Sequence, residues 1–174
     1  MDKDSADRDT GTDRATGPDR TTGSGSERQE LERLPVKACL RVSIVDPKDL
    51  PSVWPEVSEL LGPACDHSFG QETIQTLRAS LTGGNEGLFI VEDDDIIGAV
   101  TYEVVTYNTG LRVLAINYAG GVAMDTQMPS VIDMFNKLKL AYMCDRVRIM
   151  GRKGWVRYMK QFGFTDTHYS VEME

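Results

Sequence analysis

A cationic and aromatic stretch near the end of the sequence offers the first chemistry. The segment GRKGWVRYMKQFGF, residues 151–164, holds four basic and four aromatic side chains in fourteen positions. The wider segment 137–160 carries eight basic residues against one acidic residue, in a chain whose net charge is −8. A local positive field in an acidic chain suits a small polyanion better than a nucleic-acid duplex. Two interpretations stay open at this point, a ligand contact and a solvated helix face.

The spacing within this stretch divides it into two faces. Trp155, Met159 and Phe162 recur at helical spacing and predict one buried stripe, with the basic side chains between them facing away. Arg152 follows Gly151 and opens the helix, where the positive end of the helix dipole disfavours a cation. We therefore predict that Arg152 contacts an anionic ligand or a carboxylate; the alternative is a solvated arginine.

Metal chemistry is not favoured anywhere in the sequence. Four consecutive acids, Glu92–Asp95, fit a tight hairpin turn better than a metal site, because adjacent carboxylates cannot easily converge on one ion. Three cysteines lie far apart without a C-x-x-C pair, and only two histidines are present. This composition argues against a zinc site or a disulfide framework and predicts a reducing, cytoplasmic location. No apolar run predicts a membrane span or a signal peptide.

The first 35 residues differ in composition from the rest. They are low in complexity, with T-G-x-D-R at Thr10–Arg14 and again at Thr16–Arg20. With almost no apolar side chains they predict a disordered, solubilising tail, and docking on a partner is the alternative. The folded domain is predicted over residues 36–174.

Hydrophobic periodicity predicts alternating strands and helices in that domain. The predicted strands are 39–45, 87–91, 96–107, 111–121, 145–150 and 167–173. The first predicted helix has Ser52 as its N-cap and ends at Gly62-Pro63. The other predicted helices cover about 71–82, 129–143 and 152–162. This order predicts an α+β fold with a mostly antiparallel sheet and a parallel crossover around the third helix. Gly120-Gly121, closing the fourth strand, predicts a bulge or a close approach of another backbone.

Three short motifs and this element order carry a resemblance. They are D-L-P-S-V-W-P at 49–55, the strand ending in Gly120-Gly121, and G-R-K-G-W at 151–155 followed by Gly163-Phe164. Over residues 39–174 the chain resembles the GNAT acyltransferases, and most nearly the short GNAT-like proteins of tailed bacteriophages and prophages. The resemblance implies a three-layer α/β/α arrangement with a mostly antiparallel, centrally splayed sheet.

The resemblance also implies acetyl-coenzyme A as the ligand of the splayed sheet. The residues it implies for binding the coenzyme are Gly120, Gly121, Val122, Gln127, Ser130 and Arg152. The family places a Q/R-x-x-G-x-G/A loop at the pyrophosphate, where glycines let the anion approach free amides. Here Gln127 fits, but Ser130 and Ile132 stand in the glycine positions and Pro129 removes one amide donor.

For catalysis the resemblance implies an acid and a base. The family often carries a tyrosine five residues before the aromatic of the G-F pair, and here that position is Met159, which cannot donate a proton. Tyr158 is its neighbour, about 100° away on a helix, and it is the candidate acid. Glu103, on the long third strand, is the candidate general base towards an amine; a solvated glutamate is the alternative.

Three functions follow from these patterns. The first is an N-acyltransferase that moves an acetyl group from acetyl-coenzyme A to an unidentified amine. The second is a GNAT-like protein without catalysis, serving as a phage structural or host-interaction protein, in the host cytoplasm or the virion. The third, a nucleic-acid-binding protein using Arg146, Arg148, Arg152 and Arg157, is opposed by the overall acidity.

Overall fold

The computed structural model describes residues 40–122, 124–151 and 153–167. The predicted tail, the side chain of Arg152 and most of the predicted last strand lie outside the described residues. The elements follow in chain order. They are β1 (Arg41–Val45), α1 (Leu50–Asp66), α2 (Ile74–Thr82), β2 (Gly87–Asp93), β3 (Asp95–Thr106), β4 (Arg112–Gly121), α3 (Met124–Ala141), β5 (Arg146–Ile149) and α4 (Lys153–Met159), with a 3₁₀ turn at Lys160–Phe162.

The five strands form one sheet in the order in which they occur in the chain. The pairs β1–β2, β2–β3 and β3–β4 are antiparallel, and β4–β5 is parallel. The acidic run predicted as a turn joins β2 to β3, with Asp94 at a φ of 61° between the paired Asp93 and Asp95. The helix α3 makes the parallel crossover, as predicted. No described helix is long and apolar enough to cross a membrane.

Helices cover both faces of the sheet, which confirms the α+β, three-layer prediction. On one face, α3 and Met159 pack against alternate strand residues such as Phe89, Val91 and Leu114. On the other, α1 and α2 pack against the residues between them, such as Leu88, Ile90 and Ala99. The period of two along each strand sends successive side chains to opposite layers, so both layers are apolar and both bury the sheet.

The sheet is splayed at its centre because β4 and β5 share only part of their length. Their parallel pairing runs from Val113 and Arg146 to Ile116 and Ile149. The strand β4 continues to Gly121, but no described residue of β5 pairs with it there. One edge of the last five residues of β4 is therefore free of strand partners within the described part of the chain.

Three predicted helix boundaries are wrong. The first helix begins at Leu50, with Asp49 and not Ser52 at the N-cap position. The first helix passes through Gly62 and Pro63 and ends at Asp66, because Val57, Leu61 and Cys65 continue one buried face beyond the proline. The third helix begins at Met124 rather than near Pro129, which lies inside it. Of the predicted buried stripe, Met159 in α4 is fully buried, while Trp155 in α4 and Phe162 in the 3₁₀ turn are half-buried at the edge of the same cluster.

Candidate functional site

A β-bulge in β4 lies at the centre of the site. Val100 pairs with Ala119 and Tyr102 pairs with Ile116, so Asn117 and Tyr118 together oppose the single residue Thr101. Thr101 is fully buried, and its hydroxyl oxygen accepts a hydrogen bond of 3.1 Å from the Tyr118 backbone N–H. A buried polar side chain thus fixes the bulge. Sequence reasoning had placed a bulge or a close backbone approach two residues later.

Two carboxylates lie beside the bulge on the face covered by α1 and α2. The β2–β3 register pairs Gly87 with Tyr102, so the preceding Glu86 lies beside Glu103 on the neighbouring strand. Both line a cavity of about 710 Å³ at this end of the sheet. Glu103 was predicted as a base; Glu86 was missed, because it follows Gly83-Gly84-Asn85 and is easily taken for a turn residue. Its even spacing to the buried Leu88 and Ile90 is the signal that places it on this face.

The environment of Glu86 favours a proton on its carboxyl. Burial raises the pKa of Glu86, hydrogen bonding by Thr101 and Asn117 acts in the opposite direction, and the negative charges of Glu103 and Glu72 raise it further. Its Oε2 atom is buried and has no hydrogen-bond partner among the described residues. A carboxylate whose pKa is raised is a stronger base than a solvated one.

Tyr118, on the bulge, carries a phenol that stays protonated. Burial raises its pKa to about 12, and the nearby charges of Glu72, Cys65 and Glu86 act in the same direction. The hydroxyl is therefore a hydrogen-bond donor throughout the physiological range. Tyr118 and Asn117 were both missed from the sequence, because a bulge depends on the register with β3 and not on local pattern.

Arg148 brings a positive charge to the same face. It pairs with Ala115 on β4, and Ala115 pairs with Glu103 on β3, so the three residues form one row across the sheet. The Arg148 Nη1 donates to the Tyr107 hydroxyl at the end of β3. Since β4 lies between β3 and β5, this contact between the two side chains bridges β4. No described ion pair joins Arg148 to Glu103.

Gly120 and Gly121 hold the free end of β4 against its neighbours. A Cβ at Gly120 would come within 1.9 Å of the Leu60 carbonyl oxygen in α1, and one at Gly121 within 2.8 Å of the Ile97 oxygen. The predicted close approach of another backbone is thereby confirmed. Val122 follows with its N–H donating 3.0 Å to the Ile97 oxygen and its side chain exposed.

The residues predicted for the pyrophosphate loop lie within α3 instead. Gln127 is buried, and its amide nitrogen donates to the Ile97 oxygen at 3.1 Å and to the Val122 oxygen. Its side chain therefore holds the β4–α3 junction and is not directed to a ligand. Ser130 lies half-buried in the second turn of the helix. The prediction for Arg152 falls outside the described residues.

Tyr158 connects α4 to the beginning of α3. Its hydroxyl donates a 2.9 Å hydrogen bond to Asp125, an acidic residue in the first turn of α3. Its ring makes edge contacts with Trp155 and Phe162. Burial, and then the hydrogen bond and charge of Asp125, raise the pKa of Tyr158. The hydroxyl and the carboxylate are thus engaged with each other beside the splayed part of the sheet.

These residues fit one part of acetyl-coenzyme A better than the other. The unpaired edge of β4 beyond Ile116 presents backbone groups that an extended amide-containing arm could pair with. The first turn of α3 lies at the positive end of the helix dipole, which favours a phosphate. Asp125 already places a negative charge there. The edge of β4 can therefore accommodate the amide-containing arm of acetyl-coenzyme A, whereas the Asp125 carboxylate opposes binding of its phosphates.

Three solved structures show what the fold is similar to. A ribosomal-protein-alanine N-acetyltransferase from Brucella melitensis biovar Abortus 2308 matches with a TM-score of 0.59 at 10% identity, covering 78% of this chain and 98% of that one. A predicted acetyltransferase with acetyl-CoA from Clostridium acetobutylicum matches at 0.56 and 15% identity, covering 78% and 96%.

An aminoglycoside acetyltransferase from an uncultured soil metagenomic sample, in complex with sisomicin, matches with a TM-score of 0.55 at 16% identity, covering 78% of this chain and 97% of that one. No protein-family model and no curated protein matches the sequence. Each structural match extends over almost the whole length of an acetyltransferase. From the strand order, the bulged and splayed β4 and these similarities, the chain has the fold of the GNAT acetyltransferases.

Proposed function

We propose that this protein is an N-acyltransferase that moves an acetyl group from acetyl-coenzyme A to an amine. One observation carries the proposal: Glu86 and Glu103 lie beside the β4 bulge, where the sheet opens. The similarity to acetyltransferases supports the donor, and the carboxylates support a positively charged acceptor. An aminoglycoside acetyltransferase among the similar structures is consistent with an acceptor that carries amino groups.

The carboxylates have two tasks in this reaction. An amine is mostly protonated at neutral pH, so it binds as a cation and must lose a proton before it can attack. Glu103 and Glu86 attract the cation, and the partly buried carboxylate of Glu86 accepts the proton. Acetyl-coenzyme A supplies an activated thioester carbonyl when bound. The Tyr118 hydroxyl, which keeps its proton, is a donor on the same bulge.

Tyr158 is a weaker candidate for the acid. Its hydroxyl proton is engaged with the Asp125 carboxylate, and the same contact raises its pKa. In the proposed reaction, Tyr158 positions α4 against α3, and the proton donor is Tyr118, whose pKa is raised by burial and by nearby groups that include Glu86. The two assignments differ in which tyrosine controls turnover, and the variants Tyr118→Phe and Tyr158→Phe distinguish them.

The test is donor binding followed by turnover with the full chain. Acetyl-coenzyme A binding is measured by titration calorimetry, and thiol release is measured with a panel of amines. We expect binding, and turnover that falls by about 10²–10⁴-fold in Glu86→Gln, the usual effect of losing a general base. Glu56→Gln, an exposed glutamate on the outer face of α1, is the matched control and should match the wild type. Absence of both binding and turnover would refute the proposal.

A second function is favoured by the first turn of α3. Asp125, Pro129 and the non-glycine residues Ser130 and Ile132 give the phosphate end of a coenzyme fewer donors than the family pattern offers. A GNAT-fold protein that binds a ligand or a host or phage protein without acyl transfer would show amine binding without thiol release. That outcome of the same assay distinguishes the two functions.

A further inference from the structure

The row of charges across the sheet has both signs, and it narrows the class of acceptor. Glu86, Glu103, Ala115 and Arg148 lie side by side on neighbouring strands, all on the face that bears α1 and α2. Adjacent strands lie about 4.8 Å apart, so the backbone of Glu103 and that of Arg148 are separated by roughly 10 Å. The carboxylates and the guanidinium thus belong to one row of the sheet, and no described ion pair joins them.

The two carboxylates lack a counter-charge. Glu86 and Glu103 are like charges at opposed positions of an antiparallel pair, an arrangement that is destabilising by itself. Neither makes a described ion pair, and the buried Oε2 of Glu86 has no described hydrogen-bond partner. Both line the cavity of about 710 Å³. A cation bound there would satisfy both groups.

The guanidinium is held in place with donors to spare. Its Nη1 is tied to the Tyr107 hydroxyl, which fixes the side chain across β4. Its Nε is buried and has no hydrogen-bond partner among the described residues. Val113 and Ala115, which pair with Arg146 and Arg148 in the register of β4 and β5, are buried. A planar guanidinium fixed in this way suits a carboxylate, which it can bind through two parallel hydrogen bonds.

We infer that this face binds a compact zwitterionic acceptor, an amino acid or an amine bearing a carboxylate, with its ammonium at Glu86 and Glu103 and its carboxylate at Arg148. The bulge at Asn117 and Tyr118 borders Glu86, to which Asn117 is hydrogen-bonded. The amino group of the bound acceptor therefore lies next to the open part of the sheet. The inference rests on the proposed acyl transfer for the fate of that amino group, but not for its binding.

The experiment measures binding in the absence of any acyl donor. Ligand-observed NMR is run on the full chain with a mixture of the twenty standard amino acids, with their C-terminal amides, and with their N-acetyl derivatives. We expect at least one free amino acid to bind at least about tenfold more tightly than its amide, and its N-acetyl form to show no binding. Failure of all free amino acids to bind, or equal binding of acids and amides, would overturn the inference.

Two arginines on β5 provide a matched pair of variants. Arg148→Met should abolish the preference for the free acid over the amide, while Arg146→Met should keep it. Arg146 is exposed on the same face and makes no described ion pair or hydrogen bond. Equal effects of both variants would contradict the role of Arg148. Tyr107→Phe keeps the guanidinium charge but removes the hydrogen bond that holds the Arg148 side chain in place. This variant should therefore weaken the preference for the free acid, and it tests the inference even if Arg148→Met folds poorly.

Glu103→Gln completes the set on the amine side. It should weaken binding of free acids and amides alike, because both carry the ammonium group, and leave the preference between them unchanged. Thermal melting of each variant checks that the fold persists. Amino-acid binding without thiol release would leave the inference standing and remove the proposed acyl transfer. Thiol release with amines that lack a carboxylate, at equal efficiency, would do the reverse.

Discussion

The β4 bulge and the β4–α3 junction are adjacent, but they treat their polar groups in opposite ways. At the bulge, Glu86 and Glu103 line a cavity without described counter-ions. At the junction, the Gln127 side chain donates hydrogen bonds to backbone carbonyls, and Asp125 accepts a hydrogen bond from the Tyr158 hydroxyl. Unsatisfied polar groups on a rigid support are typical of ligand sites, while satisfied ones hold the fold. If the proposed acyl transfer holds, the bulge is the acceptor side and binds a ligand, and the junction is the donor side and contributes partly to stability.

The largest expected effect tests the rigidity that both regions share. Gly120→Ala should destabilise the fold by about 3 kcal/mol, because the added Cβ would meet the Leu60 backbone oxygen at 1.9 Å and force α1 away from β4. Denaturant unfolding gives the value. Gly62→Ala is the control: it lies in α1 with open space around the new methyl group, and should stabilise by up to about 1 kcal/mol. Similar losses in both variants would show that α1 does not constrain β4 as described.

The next effect separates the junction from the bulge. Gln127→Met should cost about 2 kcal/mol, because the Val122 oxygen loses its buried side-chain donor in a space that methionine fills. Glu103→Gln should leave stability nearly unchanged while reducing acceptor binding. Gln75→Met, on the exposed face of α2, is the control for the substitution itself. A stable Gln127→Met protein with impaired acetyl-coenzyme A binding would instead return Gln127 to the ligand site.

A third comparison uses pH, and it contrasts Glu86 with Glu92 at the far end of β2. The folded pKa of Glu86 lies above the ordinary value of 4.5, mainly through burial. The folded protein therefore holds this proton more tightly, and stability falls as pH rises from 4.5 through the folded pKa. Glu86→Gln should raise the unfolding free energy at neutral pH and leave it unchanged well below pH 4.5.

Glu92 should behave with the opposite sign. Its hydrogen bond from Arg41, at 2.8 Å, and the Arg41 charge lower its pKa below 4.5. The stability that this ionised Glu92 contributes to the fold is fully present above pH 4.5, the ordinary pKa of glutamate, and is lost as the pH falls through the lower pKa of the folded state. Glu92→Gln should therefore be destabilised at neutral pH, with the difference vanishing in acid. Urea unfolding of both variants from pH 3 to 8 is the measurement, and parallel curves would remove the contrast.

How far the sequence predicts this molecule depends on whether a feature is local. Strand alternation and helix periodicity are local, so the element order and the three layers follow from them. Helix α3 begins before Pro129 because Gln127 is anchored on Ile97, a residue thirty positions away. The bulge depends on the register of Thr101 against β4. Glu103 could be singled out as an acid on a long strand, but the row that joins it to Arg148 exists only once the strands are paired.

The smallest expected effect decides what Tyr158 does. If it only ties α4 to α3, Tyr158→Phe removes one partly exposed hydrogen bond to Asp125, and the loss of stability should stay below about 1 kcal/mol. Asp125→Asn should then show a similar loss, and the double variant should cost less than the sum of the two. Thiol release should hardly change, and the large loss of turnover should appear in Tyr118→Phe.

If Tyr158 is the acid instead, Tyr158→Phe should lower turnover by about 10²-fold or more, while Asp125→Asn should keep the turnover of the wild type. In that case the β4–α3 junction would take part in the reaction. The junction would then serve the acyl donor and the bulge the acceptor, and the junction would no longer be a purely stabilising region.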